Sequence, residues 1–146
     1  SRPTQPNVRF YEGQEGLQTA YQEFYTTHKT LYAVTSMERV YSVFADADMG
    51  YFLGLLRDSG GQLIELVHQT PSGVQYMAAP YRKGVSRAKY LPADVYFSID
   101  LIASEEKVAF FSFHTLLAVI VDDPDIAHSQ KSLIEYLWRN AKSRKF

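Results

Sequence analysis

The sequence predicts an α/β fold built on a mixed sheet, with a parallel β-α-β-α-β first half, an antiparallel meander in the second half, and helices on both faces. Strand-like and helix-like apolar patterns alternate through residue 68, and three β-rich runs follow closely between residues 95 and 122. Alternation favours parallel strands joined by right-handed crossovers, whereas short connections require antiparallel hairpins. An amphipathic pattern after residue 123 predicts a final helix.

The first half reads as strand, helix, strand, helix, strand. Strands are predicted at residues 8–11, 30–35 and 62–68, where β-branched and aromatic residues concentrate. Helical spacing of apolar residues predicts helices over 14–27 and somewhere within 38–58. Gly50 and Gly54 weaken the continuity of the second helix, and the Gly60-Gly61 pair ends it.

The second half begins with a segment, 71–86, whose prolines and glycines allow no regular assignment. A short strand is predicted at 89–91, followed by strands at 95–103, 107–113 and 116–122. Asp123 as the N-cap and Pro124 at the first helical position predict a helix over 124–143. Its apolar face comprises Ile126, Leu133, Ile134, Leu137, Trp138 and Ala141.

Composition limits the class of protein. The 146 residues suffice for one domain with a hydrophobic core and are too few for two, so we expect a linker or disordered start at 1–7 and a single domain at 8–146. The sequence has no membrane-length apolar run, no signal peptide stretch and no cysteine, which favours a cytoplasmic protein and excludes thiolate metal sites. A net charge of -1 argues against general nucleic-acid binding by this chain alone.

Basic residues concentrate in two groups of the second half. One is Arg82, Lys83, Arg87 and Lys89, which we place on a loop that is either simply solvated or meets an anionic ligand. The other is Arg139, Lys142, Arg144 and Lys145, which suits the negative end of the last helix.

Polar residues at strand ends are the best candidates for ligand binding. Ligand crevices of open α/β sheets form outside the carboxyl ends of parallel strands. Ser36 follows the second strand, and His68 and Thr70 follow the third. With Arg87 from the basic group, these residues are the predicted ligand-binding set; ordinary hydrogen bonding at strand ends is the alternative.

No constellation in the sequence indicates catalysis. The four histidines (28, 68, 114 and 128) show no metal-binding spacing, and there is no nucleophile elbow, phosphate loop or dinucleotide fingerprint. His28 and His128 are expected at the surface and His114 in a hairpin turn. We therefore expect neither a cofactor nor a catalytic residue.

Two segments carry a family resemblance. The first segment is the run Val8-Arg9-Phe10-Tyr11-Glu12-Gly13-Gln14-Glu15-Gly16-Leu17 with the following helix and the 31–34 strand. The second extends from Glu106 through Asp122-Asp123-Pro124 to the helix containing Leu137-Trp138-Arg139-Asn140-Ala141. Both resemble the effector domain of TrmB-family transcriptional regulators. The match covers most of the chain, although residues 37–93 agree only in outline.

The resemblance implies a phospholipase D-like fold and a regulator whose DNA is held by an N-terminal winged helix-turn-helix. These residues contain no such element, so DNA would be reached only through a missing N-terminal part, and the chain is either an excised domain or a freestanding sensor. The catalytic signature of the fold is H-x-K-x-x-x-x-D. In the expected strand this sequence reads Ser98-Ile99-Asp100, with Glu105 at the last position, so the histidine and lysine are absent.

We therefore expect a ligand-sensing and dimerising domain of a TrmB-like regulator that is not an enzyme. The resemblance implies a small-molecule effector, for which a sugar is one candidate, and a homodimer without a membrane partner. One alternative is a diverged phosphodiesterase that uses His68 or His114 as its nucleophile. The other is a dimerisation domain that binds no ligand.

Overall fold

Seven strands form one mixed sheet that organises the whole domain. The computed structural model describes residues 7–141, and the elements in chain order are β1 (Asn7–Glu12), α1 (Gly13–Tyr25), β2 (Thr30–Thr35), α2 (Met37–Val40), α3 (Asp46–Asp58), β3 (Gln62–Val67), α4 (Pro71–Met77), a 3-10 turn (Pro80–Arg82), β4 (Ser86–Tyr90), β5 (Asp100–Ala103), β6 (Val108–Ser112), β7 (Leu117–Asp122) and α5 (Pro124–Asn140). The predicted linker at 1–7, apart from Asn7 itself, and the cations Lys142, Arg144 and Lys145 lie outside the described residues.

The strand order is β1-β7-β6-β5-β2-β3-β4. Strands β2, β3 and β4 are parallel neighbours, and β5, β6 and β7 form an antiparallel meander that joins them through the β2–β5 pair. This arrangement confirms the predicted α/β class, the mixed sheet and the meander.

The first strand does not lie where the alternation of elements suggested. β1 runs in the same direction as β2 and β3, but it pairs antiparallel with β7, with Asn7 opposite Asp122, and three strands separate it from β2. A β-α-β pattern fixes the direction of its strands but not which strand becomes the neighbour.

Helices cover both faces of the sheet. Alternate side chains of the strands, including Leu63 and Val67 of β3, form the larger core with α1, α3 and α4. Side chains of opposite parity, including Val34 and Leu66, pack against Ile134 and Trp138 of α5. Of the apolar face predicted for the last helix, Ile126 and Leu133 are instead exposed, because their side chains do not pack against the sheet.

Three predicted elements have different bounds in the structure, and one segment without a regular assignment contains a helix. The helix predicted within 38–58 is two helices, because α2 ends after one turn and the backbone N–H of Ala45 then donates to the Asp48 carboxylate to begin α3. Residues 71–77, left unassigned, form α4, and the strand predicted at 89–91 is β4, which starts three residues earlier. The strand predicted at 95–103 is regular only from Asp100.

The basic group predicted on one loop is divided between different environments. Arg82 ends the 3-10 turn, Lys83 follows it, and Arg87 and Lys89 lie on β4. Among the residues that the structure describes, no helix combines the length and apolar character needed to cross a bilayer.

Candidate functional site

Ser36 lies at the carboxyl end of β2, as predicted, but it is buried. Its backbone N–H donates to Oδ1 of Asp100 at 3.3 Å, so β2 is held to the first residue of β5. The position of Ser36 is therefore fixed by an interior contact rather than by an open crevice.

His68 and Tyr96 form an accessible pair at the same edge of the sheet. The backbone N–H of His68 donates to the Thr35 carbonyl at 2.9 Å, which extends the pairing of β2 and β3 by one residue. The imidazole ring meets the ring of Tyr96 edge-on with centroids 6.5 Å apart, and Tyr96, on the loop 91–99, is 75% exposed.

Thr70 has a local structural task. Its hydroxyl accepts a hydrogen bond from the Gly73 backbone N–H at 3.0 Å and so caps α4, with Pro71 at the first helical position. The turn is tight, because a Cβ at Gly73 would lie 2.2 Å from the His68 carbonyl oxygen.

Arg87 lies apart from the other three predicted residues. Its guanidinium stands over the Trp138 ring at 5.8 Å, on the face of the sheet covered by α5. The structure thus brings Ser36 and His68 to one edge but does not bring Arg87 to them, and ligand binding by this set stays a prediction.

Asp100 is a buried carboxyl that sequence reasoning placed only as a departure from the catalytic signature. It is 2% exposed, accepts a hydrogen bond from the Tyr21 hydroxyl and contacts the Ser36 amide. Burial raises its pKa from 3.8 to about 7, although both hydrogen bonds act in the opposite direction and the nearby Glu65 adds to the rise.

Glu65 of β3 is a second buried carboxyl on the same face. Its Oε2 accepts hydrogen bonds from the hydroxyls of Tyr76 and Ser86, and Arg82 Nε lies 3.8 Å away. Burial raises the pKa of Glu65, and its hydrogen bonds counteract the rise. The sequence signal for this residue was its place between the inward-facing Leu63 and Val67.

The positions to which the resemblance assigns the catalytic signature carry neither its histidine nor its lysine. Where the fold's lysine would stand is the acidic Asp100, and Glu105 is exposed on the β5–β6 turn, paired with Lys29 at 3.3 Å. The alternative nucleophiles His68 and His114 follow β3 and β6, which lie three strand spacings apart, about 14 Å. Among residues 7–141 there is no group of three His, Asp or Glu that could hold a metal ion.

A polar cleft that the sequence did not predict opens at the other end of the strands, where β2 begins. Its volume is about 240 Å³, and it lies between the end of α1, the start of β2 and the β5–β6 turn. Its lining comprises Glu23, Phe24, Thr26, Thr27, His28, Lys29, Leu31, Ser104, Glu106 and Lys107.

Two ion pairs form the sides of this cleft. Lys107 is bound to Glu23 at 2.5 Å on one side, and Lys29 is bound to Glu106 at 3.1 Å on the other. Glu23 also receives two hydrogen bonds from Arg9, which with Lys107 lower its pKa to about 2. The lining thus offers charges of both signs and the hydroxyls of Thr26, Thr27 and Ser104.

Comparison with known proteins identifies the fold. No protein-family model matches the chain, and no curated protein matches it. Among solved structures it is similar to TrmBL2, described as an archaeal chromatin protein with a novel mode of DNA binding, at 13% identity and a TM-score of 0.68. The alignment covers 94% of this chain and 53% of TrmBL2, so the chain spans about half the length of that protein.

Two phospholipase D-like structures match over their whole length. Nuc from Salmonella typhimurium, a phospholipase D family member, has 13% identity and a TM-score of 0.69, with 97% of this chain and all of Nuc covered. NucT from Helicobacter pylori has 7% identity and the same TM-score, with 96% of this chain and all of NucT covered. At these identities the likeness establishes a phospholipase D-like fold for the chain.

Proposed function

We propose that this domain is a non-catalytic sensing domain of a TrmB-like transcriptional regulator. The observation that carries the proposal is Asp100, an acid enclosed by Tyr21 and Ser36 in the strand where this fold would need a lysine. A phosphodiesterase needs a nucleophile and a cationic phosphate clamp, and the residues at this position supply neither. The similarity to TrmBL2 over nearly the whole chain supports the regulatory context.

The effector site in this proposal is the polar cleft rather than the edge at His68. Its paired lysines and glutamates offer both donors and acceptors, and the hydroxyls of Thr26 and Thr27 retain hydrogen-bonding capacity, since the former donates to the Gln22 carbonyl and the latter accepts from the Lys29 N–H. A sugar or another small polyol matches this lining, because it exchanges hydrogen bonds with neutral and charged partners alike without bringing a net charge. A volume of about 240 Å³ suits a molecule of monosaccharide size.

A thermal-shift screen with a panel of monosaccharides and polyols tests the proposal. We expect at least one compound to raise the melting temperature of the 146-residue chain, since a ligand that binds only the folded state stabilises it. His28→Ala, in the cleft, should abolish that shift, and the matched variant His68→Ala should retain it.

If His68→Ala abolishes the shift and His28→Ala retains it, the effector binds at the carboxyl ends of β2 and β3, where the sequence predicted it. If no compound in the panel changes the melting temperature, the sensing proposal fails. The two histidines make a matched comparison, because neither forms a side-chain hydrogen bond to another described residue.

The proposal includes a homodimer. On β1 the side chain of Phe10 is 64% exposed and Val8 is also exposed. Both lie on the sheet face that α5 covers, but α5 packs mainly over β2, β3 and β5. Exposed apolar side chains on an edge strand favour association between copies. Light scattering should give the mass of two chains at micromolar concentration, and Phe10→Ser should return it to that of one; a wild-type monomer would remove dimerisation from the proposal.

A further inference from the structure

Five of the six cations that have no carboxylate partner among residues 7–141 lie on β4 or near it, and the sixth, Arg39, is on α2. We call Arg57, Lys83, Arg87, Lys89 and Arg139 the basic edge. Among residues 7–141 none of these five forms an ion pair, whereas Arg9, Lys29, Arg82, Lys107 and Lys131 all do. The near-neutral net charge of the chain therefore conceals a local excess of positive charge.

Contacts to the backbone hold this edge together. Arg57, in the last turn of α3, donates to the carbonyl oxygens of Tyr81 and Lys83. Lys89 Nζ donates to the Trp138 carbonyl oxygen at 3.0 Å and lies 4.6 Å from the centre of the indole ring. These contacts hold the charged head groups of Arg57 and Lys89 in place without pairing them with a carboxylate.

The cations follow the free side of β4. Within residues 7–141 this strand pairs only with β3, at the end of the strand order. Arg87 and Lys89 share one face of it, and their charged groups both lie over the Trp138 ring, 5.8 and 4.6 Å from its centre. Arg139 is exposed on α5, directly after Trp138.

We propose that the basic edge binds the phosphate backbone of DNA. Cations without carboxylate partners attract a polyanion, and phosphate contacts need no base recognition. Protection of an edge strand from pairing would explain the charges on β4, but Arg57, Lys83 and Arg139 do not lie on a strand. This inference does not rest on effector binding, and it differs from the expectation that DNA is reached only through a separate domain.

DNA is favoured over an anionic membrane by what surrounds the cations. A membrane surface is recognised by cations together with apolar side chains free to insert. Trp138 is half-buried, and its ring is covered by Arg87 and Lys89, so it is not free to insert. Among the described residues, Tyr136 is the one exposed large apolar side chain within a helical turn, along the chain, of a residue of the basic edge.

The salt dependence of binding tests the inference. Fluorescence anisotropy of a labelled duplex of about 20 base pairs should show binding by the wild-type chain at roughly 50 mM salt. With five phosphate contacts, a fourfold rise in salt should weaken the affinity roughly 500-fold. Arg87→Gln/Arg139→Gln removes two contacts, so the same rise should weaken it only roughly 40-fold.

The control variant is Arg39→Gln/Lys131→Gln, which changes net charge equally but lies away from β4. We expect it to keep the wild-type salt dependence. Equal losses in both double variants would overturn the inference, as would the absence of duplex binding at the lower salt. Sedimentation with phosphatidylserine vesicles checks the other polyanion: binding to vesicles but not to the duplex would also overturn it.

Discussion

The hydroxyl of Tyr21 donates a hydrogen bond to Oδ2 of Asp100, joining α1 to the first residue of β5 in the interior of the domain. The phenol ring also stacks on Phe111, with centroids 4.1 Å apart. A polar contact thus lies at the centre of an aromatic cluster. Burial raises the pKa of Tyr21 as well as that of Asp100, so the proton stays on the phenol.

Asp100 should make the stability of the domain depend on pH. Between its ordinary pKa of 3.8 and its folded pKa of about 7, the folded state holds a proton that the unfolded chain has lost. The free energy of unfolding should therefore fall as the pH rises through this window, with a slope of up to about 1.4 kcal/mol per pH unit from this residue. Urea unfolding of Asp100→Asn should show a shallower slope, and the exposed control Asp58→Asn the wild-type slope; an unchanged slope in Asp100→Asn would contradict the buried-acid assignment.

Glu23 should contribute stability of the opposite pH dependence. Arg9 and Lys107 lower its pKa from 4.5 to about 2, so its contribution is complete above pH 4.5 and is lost as the pH falls through about 2. Glu23→Gln should lower the free energy of unfolding at neutral pH by about 1 kcal/mol, because the carboxylate sits in a network rather than a single exposed pair. The same change at Glu105, which is 63% exposed, should cost less than about 0.5 kcal/mol; equal costs in urea unfolding would show that the network adds nothing.

Two glycine-to-alanine substitutions should have opposite effects. At Gly73 an added Cβ would lie 2.2 Å from the His68 carbonyl oxygen, a backbone atom that cannot move without distorting the end of β3. Gly73→Ala should therefore lower stability by about 2 kcal/mol or more. At Gly54, within α3, the added Cβ has no atom within 4 Å, and Gly54→Ala should raise stability by about 0.5–1 kcal/mol. Thermal unfolding of both variants measures these effects. A melting temperature of Gly54→Ala below that of the wild type would contradict the expected gain in helix stability.

Incubation with a generic phosphodiester should give no turnover above buffer. The positions that would supply a nucleophile and a phosphate clamp hold Ser98 and the buried Asp100. Turnover that disappears in both His68→Ala and His114→Ala would establish a nonstandard enzyme and refute the sensing proposal. Turnover that persists in both variants would indicate a contaminating activity.

Local sequence patterns predicted most of the elements because their signals lie within a few residues. The bounds of β2 agree with the β-branched run at 30–35, and Asp123 caps α5 through a hydrogen bond to the Asp125 backbone N–H. The pairing of β1 with β7 was not predictable in this way, because a strand's own pattern does not specify its neighbour across the sheet.

The candidate site was less accessible to sequence reasoning than the fold. The cleft joins the end of α1 to a turn about eighty residues later, and no local motif marks its lining. The segment 95–99 carries the apolar Val95 and Phe97 in a strand-like pattern, yet these side chains pack beside α5 from an irregular loop. The alternation of apolar residues at 95–99 reflects burial of Val95 and Phe97, and burial does not require the segment to pair with another strand.

The antiparallel register of β1 places Asn7 opposite Asp122, although 115 positions separate them along the chain. During synthesis β1 therefore leaves the ribosome before β7, its neighbour in the described sheet, has been made, and it stays unpaired until residues 117–122 emerge. A nascent chain stopped before Leu117 carries an open strand and a bare meander edge at once, which are the features that chaperones bind and that aggregates recruit. The described sheet therefore closes on β1 only after β7 has emerged, so its earliest strand is among the last to be paired.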